Sequence, residues 1–532
     1  MRQAAAIQLK NMCKECWAER VSIMGISLQS CDGSQQVLLK EGDKEQLKIM
    51  LIEALLAEPE KSIQDLLAET VHHISKYDFP EKWPALLPTL HHFIHQTDMT
   101  QALQIHNALV ALRKVCKRYE YKAKDERGPL NAIVDQFFPI LLVLAESLSD
   151  PNQHSLEAAL TLKLILKIFW SSTQFFIPES AGSGSTLSLA NPQSLQPWLL
   201  VLQRVLSKPL PEASSGEAFH QPESKEDREI WPWWKVKKWA AQIMVRLFSR
   251  YGVPSGAEKE CEAFARYFST EAAPQILGPV FETLNLRPSG KFCTDRVVHL
   301  CLSFVDLAVE PSTTYKLMKL HMDFILYKVC FPIICLSQDD IELFDNDPHE
   351  FIHMRNSPFN EFIDPRTTAT QVVTSLVKHR GQDVINGLLV FLNNILQSYC
   401  NGSQNHVEKD GCLHLIGSLA IELFKKKKYS SQIEPLLVTH VFPEFRSSVA
   451  FLRSRACCMI QDFDFVQWSD GGANLNNLIQ LVLQSLGDRT LPVQIEASKV
   501  RSIICIHCHD KSYVSFFVHY IKYILYIINI LY

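Results

Sequence analysis

The sequence predicts an all-α fold assembled as a solenoid of helix pairs, and three observations predict it. Apolar residues recur at spacings of three and four along most of the chain, and no sustained alternation of period two occurs before residue 500. Three segments, Phe137-Phe138-Pro139-Ile140-Leu141, Cys330-Phe331-Pro332-Ile333-Ile334 and Val441-Phe442-Pro443-Glu444-Phe445, place proline at the head of an apolar helix, with Trp83-Pro84-Ala85-Leu86-Leu87 a looser fourth case. Their irregular recurrence is what degenerate repeats of about 40 residues produce, each pair burying its face only against the next.

Taken in order, residues 1–17 look like helix interior from the start, through Ala4, Ala5, Ala6, Leu9, Met12 and Trp17. Residues 44–57 and 61–76 read as amphipathic helices. Residues 101–118 give the clearest period: Ile105, Ala108, Leu109, Leu112, Val115 and Cys116 share a face, with Gln104, Asn107, Arg113, Lys114 and Lys117 expected off it. From Leu130 to Leu148 and from Leu156 to Trp170 apolar residues run nearly all round, as in helices with neighbours on several sides. Pro178 to Pro197 and Ser207 to Glu229 are expected as mobile surface loops. The Gly182-Ser183-Gly184-Ser185 run lacks the Gly-Lys-Ser/Thr ending of a phosphate-binding loop. Near the end, Asp488-Arg489-Thr490-Leu491-Pro492-Val493 has the form of a HEAT inter-helix turn entering a second helix. Several separate bundles fit less well than a HEAT- or armadillo-like array over residues 1–500, because no linker is long or polar enough to part them. After Val500 the character changes to an apolar tail, 501–532, rich in Ile, Tyr, Phe and Leu, which is expected to stand outside the solenoid. Lys522 sits near the middle of that run, where it opposes membrane insertion.

With 532 residues, 47% hydrophobic and 21% charged, the chain can bury a large core. A net charge of −4 argues against a general nucleic-acid or membrane-surface binder and leaves proteins as the expected partners. The fifteen cysteines read as reduced, buried thiols. Cys13-Lys14-Glu15-Cys16 has metal or redox spacing but no second pair at finger distance, and Cys505-Ile506-His507-Cys508-His509 has haem-attachment spacing without a supporting context. His91 and His95 could share a helix face, without a carboxylate or cysteine set to complete a zinc site. No His-Glu-x-x-His helix, Gly-x-Ser-x-Gly elbow or kinase signature occurs, so neither an enzyme nor a cofactor is expected.

Four of the nine tryptophans lie in Trp231-Pro232-Trp233-Trp234-Lys235-Val236-Lys237-Lys238-Trp239, a helix start that follows a polar segment. Trp231, Pro232, Trp233, Trp234 and Trp239 are expected as structural anchors; a stacking platform for nucleic acid would need a basic field that an acidic chain lacks. Residues 338–350 gather Asp339, Asp340, Glu342, Asp345, Asp347 and Glu350 around apolar residues. Two readings fit: a solvated loop with helix caps, or an acidic site for a basic partner. Lys409-Asp410-Gly411-Cys412 leads into another apolar helix, where Gly411 and Gly417 would allow close helix approach. Lys425 to Lys428 would close it, where positive charge suits the dipole.

The Pro-Trp-Trp-Lys-x-Lys-Lys-Trp-Ala block, the Asp347-Pro348-His349-Glu350-Phe351-Ile352 turn and the Lys409 block are together similar to the importin-β superfamily, notably the branch containing importins seven and eight. The acidic turn also resembles that of the exportin called CAS; His353 stands where the family has a basic residue. The resemblance covers about residues 1–500. It implies a nuclear transport receptor with protein cargo, Phe-Gly nucleoporins and Ran in its GTP form as partners, basic cargo at the acidic segment, and shuttling between cytoplasm and nucleus through the pore. It also implies a chain incomplete at both ends relative to the family. A CAS-type exportin and a HEAT scaffold for a phosphatase or kinase are the alternatives.

Overall fold

The computed structural model describes residues 1–18, 38–95, 102–173, 191–256, 259–357, 363–466, 468–469 and 472–500, and no strand occurs among them. The Gly-Ser run and the apolar tail with its Cys505–His509 motif lie outside the described residues. The chain divides into two units, Met1–Pro279 and Val280–Tyr532.

The first unit contains α1 (Arg2–Cys16), α2 (Glu41–Ala57), α3 (Lys61–Asp78), α4 (Leu86–Ile94), α5 (Ala102–Lys117), α6 (Gly128–Leu148), α7 (Leu156–Ser172), α8 (Pro192–Ser207), α9 (Lys225–Ile230), α10 (Pro232–Arg246) and α11 (Glu262–Tyr267), and α12 (Ala273–Leu284) begins in it. Helices α1, α3, α5, α7 and α10 pack side by side in that order, and α4, α6 and α8 form a second layer against them. This is the packing of a helical-repeat solenoid, each pair leaning on the next. The second unit repeats the plan with α13 (Asp295–Val309), α14 (Ser312–Lys319), α15 (Phe331–Ile334), α16 (Gln338–Asn346), α17 (Pro348–Asn356), α18 (Pro365–Cys400), α19 (His406–Ser418), α20 (Ala420–Phe424), α21 (Lys427–Leu436), α22 (Ala450–Asp462), α23 (Ala473–Leu486) and α24 (Leu491–Lys499). Here α13, α18, α19, α22 and α24 are successive neighbours. Helix α18 is two helices joined at Arg380, whose φ of −131° is not helical.

Several expectations change. Pro192 to Pro197 are helix rather than loop: Asn191 accepts from the Gln193 amide at 3.1 Å, and Pro192 occupies the first turn, where its missing N–H is harmless. One aromatic-proline segment is not a helix head: Pro139 lies inside α6. Pro332 stands in the first turn of α15 and Pro443 in that of a short 3-10 helix, Phe442–Arg446, each directly after a π-helical stretch, Phe324–Cys330 and Leu437–Val441. The wider turn accommodates a residue that cannot donate to the carbonyl one turn back. The four lysines do not simply close one helix; Lys427 and Lys428 open α21. Asn107, expected at the surface, is fully buried.

Asn107 exemplifies how the repeats are joined. Its Nδ2 donates to the carbonyls of Leu55, Leu56 and Glu58 at 2.9, 3.2 and 2.9 Å, satisfying the end of α2, and its Oδ1 accepts from Gln64. Arg118 does the same for Ser75 and Phe79 at the end of α3, at 2.5 and 2.6 Å. Lys208 serves Asp150 and Pro151, just past α6, and Tyr251 donates to Thr173, just past α7, at 3.0 Å. In the second unit Arg380 donates to Val309 and Glu310 at the end of α13, at 3.1 and 2.6 Å. The last carbonyls of a helix have no partner within it and carry its negative end, so a cation or amide from a later element fits both needs.

The segment from Ser207 to Glu229 is held against this framework. Gln221 is buried, donates to the Leu210 carbonyl at 3.1 Å and accepts from Trp234 Nε1 at 3.0 Å, while Arg228 pairs with Glu212 at 2.8 Å. Ser224 caps α9. Trp233 and Trp234 are among the largest fully buried side chains, and Trp231 is 8% exposed. Trp239 is half-buried and meets Trp170 edge-on, with ring centres 5.5 Å apart.

Candidate partner-binding site

The six carboxylates expected on a loop are carried by a pair of short helices, α16 and α17, joined at Asp347. Ser337 opens α16 with a reciprocal cap: its Oγ accepts from the Asp340 amide at 3.1 Å, and its own amide donates to Asp340 Oδ2 at 2.8 Å. Asp347 Oδ1 accepts from the Glu350 amide at 3.0 Å, and Pro348 follows at the first turn of α17. The sequence therefore stops one helix and starts another within two residues. Two apolar side chains lock the pair: Phe344 is 2% exposed and packs edge-on against Phe351 and Phe451, with ring centres 4.9 and 6.5 Å away.

The consequence is a division of labour among the acidic residues. Asp340 and Asp347 serve as caps, with Asp340 half-buried. Asp339, Glu342, Asp345, Asp347 and Glu350 are exposed. Glu342 accepts from Gln338 at 3.0 Å, and Glu350 lies 4.0 Å from His353. Asp345 makes no ion pair or hydrogen bond among the described residues. Charge held on capped helices loses less freedom on meeting a basic partner than charge on a loose loop.

Beneath the pair lies a polar cluster that periodicity did not reveal. Asp410 on α19 is buried and accepts from Arg455 Nε at 2.8 Å and from Arg366 Nη2 at 3.2 Å. Burial alone would raise the Asp410 carboxyl, but Arg455 and then Arg366 outweigh it and hold it below the usual range. Burial takes the Arg366 guanidinium down to about 9, and its Nε and Nη1 have no acceptor. His414 bridges Arg455 and Thr370 at 3.2 and 3.3 Å, and burial, then Arg455, keep it neutral. The neighbouring Lys409 forms a buried ion pair with Glu444 at 2.7 Å. The glycines make this depth possible: a Cβ on Gly411 would lie 2.5 Å from Cys335 Sγ, and one on Gly417 would lie 2.1 Å from Asp462 Oδ2. A Lys-Asp pair ahead of Gly-x-x-x-x-x-Gly on an otherwise apolar helix was the available signal.

His91 and His95 lie with ring centres 5.7 Å apart, and His91 packs edge-on against Phe137. No set of three potential metal ligands occurs among the described residues. Cys13 is buried, and burial pushes its thiol up to about 12, far from a reactive thiolate.

A family model described as Cse1 matches residues 275–449, which contain the acidic helix pair and Arg366, Asp410 and His414 of the polar cluster, though not Arg455. The importin-8 of Homo sapiens is 31% identical over 516 residues, covering 96% of this chain and 47% of its own length. An importin beta-like SAD2 homolog of Arabidopsis thaliana is 30% identical over 500 residues, covering 93% of this chain and 45% of its own. The chain thus spans about half the length of the curated relatives it matches. Among solved structures, the exportin Cse1 in its cargo-free, cytoplasmic state superposes with a TM-score of 0.67 at 18% identity, covering 95% of this chain and 51% of that one, and shares the fold.

Proposed function

The chain belongs to the importin-β family of nuclear transport receptors, and from that premise we propose that it carries protein cargo between cytoplasm and nucleus under the control of Ran-GTP. The observation that carries the reading is a match to importin-8 spread over 96% of the chain rather than confined to one repeat. The matched relatives are transport receptors, not enzymes, and the proposed role is binding without catalysis. The α16–α17 pair is the proposed contact for basic cargo or a basic face of Ran, through Asp339, Glu342, Asp345 and Glu350. The exposed apolar side chains of Met50 on α2, Val143 on α6 and Leu200 on α8 are the proposed contacts for Phe-Gly nucleoporin repeats during passage through the pore. A CAS-type exportin is the second reading, favoured by the match to the Cse1 model.

The test is binding of the purified chain to Ran loaded with GTP or with GDP. GTP-selective binding is expected. A folded, helical chain that binds neither form would overturn Ran control for this chain.

A further inference from the structure

The first unit carries a stripe of cations that the transport reading does not use. Lys163 and Lys167 lie four apart on α7, and Lys235 and Lys238 three apart on α10, so each pair shares a helix face. Arg113 on α5 and Lys61 at the start of α3 continue the series, because α3, α5, α7 and α10 are packed in that order. Two contacts fix the alignment: His106 on α5 meets Thr161 on α7 at 3.2 Å, and Trp170 on α7 meets Trp239 on α10. All but Lys61 are half-buried.

Lys163 lies within electrostatic reach of Lys61 and Lys235, and Lys167 within that of Arg113, Lys163, Lys238 and Lys61. The side chains of Lys61, Arg113, Lys163, Lys167 and Lys235 make no hydrogen bond or ion pair among the described residues, and Arg113 Nε is buried without an acceptor. Burial, then Arg113, Lys163, Lys238 and Lys61, bring the Lys167 ammonium down to about 8. Asp65 is the carboxylate that acts on Lys163 in the opposite sense, set against Lys61 and Lys235. In a chain of net charge −4, this is a local excess of one sign, held partly out of water and so drawn toward an anion.

We propose that this stripe is a docking surface for an acidic segment of a protein partner, laid extended across α3, α5, α7 and α10. Adjacent helices sit about 10 Å apart, so the path spans about 30 Å, the reach of about nine extended residues. A peptide fits better than nucleic acid because the indole faces that bases would stack on are already covered. The Arg246 guanidinium lies 3.1 Å from the centre of the Trp170 ring, and Lys238 and Lys167 lie 4.7 and 5.5 Å from that of Trp239.

The experiment titrates the full chain into a fluorescein-labelled peptide of about ten residues alternating Glu and Ser, followed by anisotropy. Binding that weakens as salt rises is expected, and Lys163→Glu with Lys167→Glu should lower affinity at least about tenfold. Lys427→Glu with Lys428→Glu, at the first turn of α21 where acid is tolerated, should leave it unchanged. In case the α7 variant misfolds, a photo-crosslinking version of the peptide tests the wild-type chain and should label α7 and α10. The proposal fails if the wild-type chain does not bind the peptide at about 50 mM salt, if a folded α7 variant binds like wild type, or if crosslinks map elsewhere. It also fails if a single-stranded RNA of equal length binds more tightly and is lost with the same α7 substitutions, which would make the surface a nucleic-acid site.

Discussion

Asn107 has 0% exposure in the middle of α5, and its amide reaches three carbonyls of the preceding pair. Replacing it by alanine removes the donors and leaves those carbonyls buried and unsatisfied, so Asn107→Ala should cost about 2–4 kcal/mol. Urea denaturation, with amide exchange of α2 as the local readout, checks this. His299 on α13 offers the corresponding test of charge. It meets Thr368 Oγ1 at 2.7 Å, and burial, then Arg296, lower its pKa to about 4. An unfolded histidine titrates near 6.5, so below that pH the unfolded chain takes up a proton that the folded one refuses. Stability should therefore fall as pH drops from about 6.5 toward 4, by about 2 kcal/mol between pH 7.5 and 5 from this residue. His299→Gln should flatten that part of the profile; an unchanged slope would assign the pH dependence to other groups.

At the scale of the element, the helices with a clear period were legible, because burial on one face leaves spacings of three and four in the sequence. The start of α10 at Pro232 was legible for a local reason, the suitability of proline for a first turn. What the period hid was every polar side chain that turns inward to finish a neighbouring helix: Asn107, Arg118, Lys208 and Arg380 look like surface residues until the partner carbonyls are placed. The acidic segment was legible as charge and as caps, but not as two helices, since α16 and α17 have nine residues each and owe their ends to Ser337 and Asp347. Its proposed role predicts a clean separation of binding from stability. Asp339→Asn, Glu342→Gln and Asp345→Asn together leave both caps and Phe344 in place, so thermal stability should change by less than about 0.5 kcal/mol. Affinity for a basic cargo peptide should fall about tenfold or more, measured by calorimetry at low salt. Equal loss of stability and binding would return the carboxylates to a purely structural role.

For the molecule as a whole, the successive packing of α1, α3, α5, α7 and α10, and of α13, α18, α19, α22 and α24, means that each repeat touches few others. Such arrays deform by small changes shared over many interfaces, which lets one ligand bias the affinity for another without a dedicated hinge. Transport direction is then a matter of the sign of that coupling. If the chain works in import, saturating Ran-GTP should weaken binding of a basic cargo peptide; if it works as a CAS-type exportin, Ran-GTP should strengthen it. Because binding free energies are state functions, cargo must change Ran-GTP affinity by the same factor, expected to be about 5- to 150-fold for a coupling of 1–3 kcal/mol. Measuring both legs, peptide with and without Ran-GTP and Ran-GTP with and without peptide, tests direction and internal consistency at once. Equal factors below one assign import and equal factors above one assign export. A factor of one, with both ligands bound, would mean that the sites in this chain are uncoupled and that Ran control of loading is not a property of these repeats.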